Sequence, residues 1–402
     1  MTITYPSELD TDIDFALDDL PDLPSALARL RARKPAAWGK SFGQPAIALL
    51  SHDLVRDAFM DEDTFPSAEF YGNVVTEVLG RNLQCLYGPE HRRNRALVSP
   101  AFRLRLMPGL IGPLLEPVAN ELIDRVESRG RADLVADFTS RYPFLIITRL
   151  LGLPRHSEEQ VKEWAIAMLD IQQNYEFALQ CSREFMEFVD PILQHRRHEP
   201  GDDLISTLAT AEVEGERLTD EEIFDFLRLL FPAGADTTYL GLGSTLYGLL
   251  RNRDQLELVA ADPENQCRWA AEEGVRWHPP TAWIPRLNPR DVVWHDIAIP
   301  KGAPMMLGIL AANRDPAVYD DPDAFDVTRR PTGTMTFGFG IHFCLGAHLA
   351  RAEMETSLRV ILGRLPRLRL DEDAADGGEE VRIAGTFSQV LQGPTRLPVR
   401  FD

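Results

Sequence analysis

A long apolar stretch in the second half of this 402-residue chain constrains its fold most strongly. The stretch opens with Thr219 and Glu222, which have capping-box spacing: each side chain bonds a backbone amide left free at the start of a helix. Apolar and small residues continue to about Leu250, so the pattern predicts a helix of about 30 residues, roughly 45 Å long. A helix of this length and apolarity must cross the protein interior.

The middle of this predicted helix breaks the apolar pattern. Pro232 removes a backbone donor and Gly234 loosens the backbone. Asp236, Thr237 and Thr238 then place a carboxylate and two hydroxyls where their neighbours demand burial. The hydroxyls could simply bond back to their own helix. Otherwise, buried polar groups here indicate a functional site.

The rest of the chain predicts a mainly helical protein with small β-sheets at its edges. Helical periodicity runs from about residue 24 to 260, for example over residues 107–125 and 156–195. Strand-like pieces are short and lie near turn residues, at 46–50, 291–299, 381–383 and 397–401. A composition of 44% hydrophobic and 26% charged residues is typical of a folded globular chain. We see neither an internal repeat nor a linker, so we expect a single domain over residues 1–402.

Charge and targeting patterns exclude several kinds of partner. The chain has 42 basic and 62 acidic residues, a net charge of −20, so nucleic acid and anionic membranes are poor partners for its surface. Residues 229–250 approach membrane-span length, but Asp236 and four Ser/Thr residues favour a buried helix over a membrane anchor. The first residues lack a secretory pattern, and we therefore expect a cytoplasmic protein.

The segment TFGFGIHFCLGAHLAR, residues 336–351, carries the clearest chemical signal. Phe337, Gly340, Cys344 and Gly346 form the pattern Phe-x-x-Gly-x-x-x-Cys-x-Gly, followed directly by a helix-compatible run. A metal-ligating thiolate needs nearby backbone amides, which glycines allow to approach, and a helix start adds positive potential. We therefore expect Cys344 to have a depressed pKa. The alternative is an inert buried cysteine beside a glycine turn.

This segment resembles the haem-binding loop of the cytochrome P-450 family, specifically its bacterial type without an anchor or reductase domain. The resemblance extends along most of the chain and is weakest in the first 40 residues. It implies a prism-shaped single domain that holds haem b between the long distal helix and the cysteine loop. Cys344 would be the proximal iron ligand, in a loop with Phe337, Gly340 and Gly346.

The resemblance also assigns the remaining candidate residues. Ala233, Asp236 and Thr237 match the distal motif, in which the acid and the alcohol relay protons to dioxygen at the haem. Four residues match partners of the haem propionates: His91, Arg95, Arg286 and His342. Glu273, Arg276 and Arg329 match a buried acid–arginine network that supports the cysteine loop. The substrate pocket would be lined by Phe70, Tyr71, Ala233, Thr237, Thr281, Trp283, Ile284 and Val390.

These assignments predict a haem-thiolate monooxygenase, an oxidoreductase that inserts one atom of O2 into a mainly hydrophobic small organic substrate. Electrons would come from NAD(P)H through a reductase and a ferredoxin or flavodoxin. The segment His91–Arg105 contains five arginines and no acid, which suggests a docking patch for that partner. The alternatives are a peroxygenase that uses hydrogen peroxide and a non-catalytic haem sensor or electron carrier. Because peroxide-driven relatives tend to lose the acid–alcohol pair, Asp236 and Thr237 argue against the peroxygenase.

Overall fold

A computed structural model of the protein describes residues 2–371, 373, 381–385 and 388–402. Helices dominate this part of the chain, as predicted. The α-helices are α1 (Leu23–Arg33), α2 (His52–Met60), α3 (Ser67–Val74), α4 (Thr76–Leu79), α5 (Gly88–Val98), α6 (Pro108–Leu110), α7 (Glu116–Asp124), α8 (Tyr142–Leu150), α9 (Glu158–Leu169), α10 (Tyr175–His198), α11 (Leu204–Thr210), α12 (Asp220–Arg251), α13 (Arg253–Ala261), α14 (Pro263–Trp277), α15 (Ile309–Ala312) and α16 (Ala347–Arg364).

The strands are short and form small sheets. They are β1 (Ala36–Ser41), β2 (Gln44–Leu49), β3 (Arg131–Asp133), β4 (Glu212–Val213), β5 (Glu216–Arg217), β6 (Trp283–Leu287), β7 (Val292–Trp294), β8 (Ile297–Ile299), β9 (Pro304–Gly308), β10 (Arg369–Leu370), β11 (Ile383–Gly385), β12 (Gln392–Pro394) and β13 (Pro398–Arg400). The largest sheet has the order β1-β2-β9-β6. Within it β2 and β9 are parallel, with Ile47 opposite Met305, and β6 is antiparallel to β9, with Trp283 opposite Gly308.

Helix α12 is the predicted central element. It runs for 32 residues, and both halves of the capping box between Thr219 and Glu222 are formed. Pro232 lies inside the helix without ending it. The helix contributes to both large hydrophobic clusters: Phe231 packs in one with Phe185, and Leu242 in the other with Leu358. It therefore crosses the interior, as predicted from its apolar length.

Two local predictions were wrong in detail. The helical pattern over residues 156–195 is divided between α9 and α10, because the polar residues after Leu169 do not continue the helix. The predicted strand at residues 291–299 is a hairpin of β7 and β8. His295 and Asp296 both have positive φ at its turn, the backbone of a tight two-residue hairpin loop.

None of the helices in the described part of the chain combines the length and apolar character that a membrane span requires.

Candidate active site

The loop before α16 is shaped by short turns and by glycine. Residues 335–337 and 340–342 form 3-10 turns, and the Cys344 amide donates to the Phe337 carbonyl at 2.8 Å. Gly340 has φ +70°, and a Cβ there would lie 2.9 Å from the Phe59 carbonyl oxygen. Only glycine combines that backbone with this close approach. The loop is thus held against the end of α2.

The thiol of Cys344 borders a cavity between this loop and α12. The amides of Gly346 and Ala347 donate towards its sulfur, as expected for a thiolate site. Desolvation raises the pKa of Cys344 above its ordinary value, contrary to the expected depression, although the amides, Arg95 and Arg351 lower it.

The cavity has the size of a small-molecule site. Its volume is about 300 Å³, at the lower end of the roughly 300–1,000 Å³ that is typical of ligand pockets. On the loop side it is lined by Phe337, Gly338, His342, Cys344, Leu345 and Gly346. On the α12 side it is lined by Phe226, Leu229, Leu230, Ala233, Gly234, Thr237 and Thr238.

Cationic and orphaned polar groups gather at one side of this cavity. Arg95, Arg286 and His342 line it, and the His91 ring lies 4.5 Å from the His342 ring, centroid to centroid. Both His91 nitrogens and the Arg286 Nε are buried without a hydrogen-bond partner. Burial, with positive neighbours, lowers the pKa of His91 to about 4. Buried donors without acceptors match the carboxylates of haem propionates, so these residues fit haem.

Some residues of the distal motif on α12 line the cavity, whereas its acid is buried in the protein interior. Ala233 and Thr237 line the cavity, and the Thr237 hydroxyl donates to the Ala233 carbonyl at 2.9 Å. Asp236 is buried, and its Oδ2 has no hydrogen-bond partner. Burial raises the pKa of Asp236 to about 7, and the ammonium of Lys162 on α9 partly opposes this increase.

The predicted acid–arginine network is assembled in the structure. Arg276 donates to both Glu273 oxygens, at 2.7 and 2.8 Å, and Arg329 Nε lies 3.4 Å from Glu273 Oε1. Arg276 also donates to the Asn313 carbonyl at 3.0 Å. The Asn313 side chain accepts from the Met335 amide at 2.7 Å. The network therefore supports the start of the cysteine loop through Asn313.

Other predicted cofactor contacts are indirect. Gly340 does not border the cavity, and it acts through the turn geometry described above. His91 also lies behind the lining residues, next to His342.

The substrate-pocket prediction was partly wrong. Tyr71, Thr281 and Ile284 border the cavity together with Ala233 and Thr237, but Phe70, Trp283 and Val390 do not. Trp283 and Ile284 are consecutive in β6, so their side chains point to opposite faces, and Trp283 packs on Phe15 instead. Phe70 and Tyr71 are consecutive in α3 and point in different directions. Val390 packs against the cluster that contains Phe15.

The sequence reasoning missed three charged residues near the site. Lys162 acts on Asp236 from α9, and Glu62 contacts His342. Glu353 on α16 lines the cavity, and burial holds its pKa well above the ordinary value. A buried position for Glu353 could have been inferred from its place in the helix after Cys344. No local pattern links the other two residues to their partners, which lie far away in the sequence.

Comparisons with known proteins agree with this site. The model of the family "Cytochrome P450" matches residues 267–372. The polyketide biosynthesis cytochrome P450 PksS of Bacillus subtilis is 37% identical over 70% of each chain. The 6-deoxyerythronolide B hydroxylase of Saccharopolyspora erythraea is 32% identical over 93% of this chain and 95% of the relative. The solved structure of PksS superposes with a TM-score of 0.86 at 31% identity, covering 94% of this chain and 96% of its own. The chain therefore belongs to the cytochrome P450 family of oxygen-incorporating oxidoreductases, whose haem b is held by a cysteine thiolate.

Proposed function

We propose that this P450 is a monooxygenase in which Cys344 is the haem ligand and Asp236 and Thr237 deliver protons. One observation carries the proposal: a single cavity has the Cys344 thiol on one wall and the Thr237 hydroxyl on the other. In this arrangement Arg95, Arg286 and His342, with His91 behind them, hold the cofactor by its propionates. Haem on the Cys344 thiolate supplies the chemistry that cleaves the O–O bond.

The residues of α12 provide the proton path. Asp236, with a pKa of about 7, both holds and releases a proton at neutral pH. Its unpartnered Oδ2 leaves that proton free to move. The Thr237 hydroxyl donates to Ala233, so its oxygen remains able to accept a hydrogen bond on the cavity side. The pair therefore suits proton transfer from the interior of α12 to the cavity.

The cavity lining favours a mainly apolar organic substrate. Phe226, Leu229, Leu230, Ile147 and Ile284 provide the apolar surface. A few polar groups lie among them, namely Tyr71, Gln84, Thr281 and Ser67. Such a lining binds by apolar contact and orients by a few hydrogen bonds. The name of the relative PksS, a polyketide biosynthesis cytochrome P450, supports a polyketide as the substrate class.

A ferredoxin or flavodoxin with an NAD(P)H-dependent reductase is the proposed electron source. Fewer arginines of the proposed docking segment are available to this partner than the sequence implied. Arg93 is engaged by Glu216 and Glu222, and Arg95 donates to the Phe343 carbonyl at 2.5 Å. Three arginines remain exposed for docking: Arg92, Arg103 and Arg105. The single-domain organisation and the cytoplasmic location stay predictions.

Three measurements on the purified protein test the proposal. The reduced protein with carbon monoxide should show a thiolate-type spectrum, and Cys344→Ala should lose it. Product should form from a polyketide or other apolar substrate with O2, NAD(P)H and a ferredoxin system. Turnover with hydrogen peroxide alone would instead indicate a peroxygenase. Gas binding without either activity would indicate a sensor.

A further inference from the structure

An acidic side chain lies among the groups that are proposed to bind the propionates. Glu62, just after α2, accepts a hydrogen bond from His342 Nε2 at 3.1 Å. The same oxygen accepts the Ser67 amide at 2.8 Å. Only 11% of the Glu62 side chain and 13% of the His342 side chain are exposed. The contact is therefore shielded from water, where such a bond is stronger than at the surface.

The end of α2 and the cysteine loop meet at this contact. Gly338 and Gly340, both with positive φ, lie against Phe59 at the end of the helix. The backbone of the loop is thus positioned by α2. The His342 ring itself is contacted by the His91 ring, and Glu62 binds it through a hydrogen bond. Because a carboxylate accepts only, the ring nitrogen that faces Glu62 must be the donor.

We propose that Glu62 is a positioning residue for the cofactor: it fixes the orientation of the His342 ring beside the haem propionates. The inference rests on the proposed function, which places His342 at the propionates. Hydrogen-bonded carboxylates orient metal-binding histidines in the same way. The Glu62 carboxylate also favours the charged forms of His91 and Arg286.

The test measures haem release from the holoprotein to excess apomyoglobin. Glu62→Leu removes the acceptor and should speed release about tenfold. Glu62→Gln keeps an oxygen acceptor for both His342 and Ser67, and should restore release to within about threefold of the parent. Asp63→Asn is the matched control: it removes the same charge one residue away, at an exposed position that binds Tyr87 instead. Its release rate should be unchanged.

A double-mutant cycle separates positioning from a general structural role. In a His342→Ala background, Glu62→Leu should change the release rate by less than about twofold, since no ring remains to be held. An equal acceleration in both backgrounds would show that Glu62 acts on the local fold alone and would overturn the proposal. Parent-like release from Glu62→Leu would overturn it as well. If the protein shows the thiolate spectrum but Glu62→Leu leaves haem release unchanged, only this inference is refuted. If the chain binds no haem, the proposed function is refuted as well.

Discussion

Asp236 is a buried carboxyl that titrates in the physiological range. Its pKa is raised from 3.8 to about 7 by burial on α12. Between these two values the folded chain keeps a proton that the unfolded chain has lost. The free energy of unfolding therefore falls as the pH rises from about 4 to 7. Burying this group reduces stability at neutral pH, a cost that is consistent with a functional role.

Asp236→Asn should therefore stabilise the protein above pH 7, because the amide needs no proton to remain neutral. The shift of about three pKa units sets an upper limit of roughly 4 kcal/mol at pH 8. Thermal unfolding of both forms at pH 5 and pH 8 measures the difference. A gain at pH 8 that is no larger than the gain at pH 5 would contradict the raised pKa. The same variant should lose most of its product formation.

Thr237→Ala should keep haem and substrate but divert electrons from product to hydrogen peroxide. The Thr237 hydroxyl is the one assigned to the proton path at the cavity. Product formed per NAD(P)H consumed should fall, and peroxide should rise. Thr245→Ala is the control, because its hydroxyl makes the same bond to a carbonyl four residues earlier but lies outside the cavity. Unchanged coupling in Thr237→Ala would remove this residue from its role.

Helix α14 lines the cavity with Val275 and supports the cysteine loop through a buried pair of charges. Neither the Glu273 nor the Arg276 side chain is exposed, and Arg276 carries the link through Asn313 to the cysteine loop. Loss of one partner leaves the other charge buried and uncompensated, which is far more costly than loss of an exposed pair.

Glu273→Ala should lower the free energy of unfolding by about 3–5 kcal/mol and weaken haem retention. Glu257→Ala removes an acid of the same kind from an exposed pair with Arg253, and should cost less than about 1 kcal/mol. Denaturant unfolding of both variants measures the contrast. Similar losses of unfolding free energy from the two variants would show that burial does not make the Glu273 ion pair more costly to break.

At the level of elements, prediction succeeded where the signal was local. The capping box and the apolar run define α12 within one segment, so its bounds were predictable. The division between α9 and α10 was not predicted, because the helical periodicity continues across the polar residues 170–174 that separate them. The direction of β6 side chains likewise depended on register with β9, which placed Trp283 in the core.

The whole molecule is strongly acidic, yet Arg92, Arg103 and Arg105 are exposed close together in sequence. Charge reversal at Arg92 and Arg103 should slow electron transfer from an acidic ferredoxin and flatten its dependence on salt, because steering between opposite charges is lost. Stopped-flow reduction at several ionic strengths measures both effects. An unchanged rate would leave these arginines without a docking role.

The amino-acid sequence by itself determined the long central helix, the cysteine loop pattern and the family, because each depends on residues a few positions apart. Tertiary structure alone decided which side chains face the cavity and which charges meet. Glu62 and His342 are separated by 280 residues, and no local pattern joins them. The raised pKa values of Asp236 and Cys344 also came from packing, since desolvation depends on the atoms that surround a group in the folded chain.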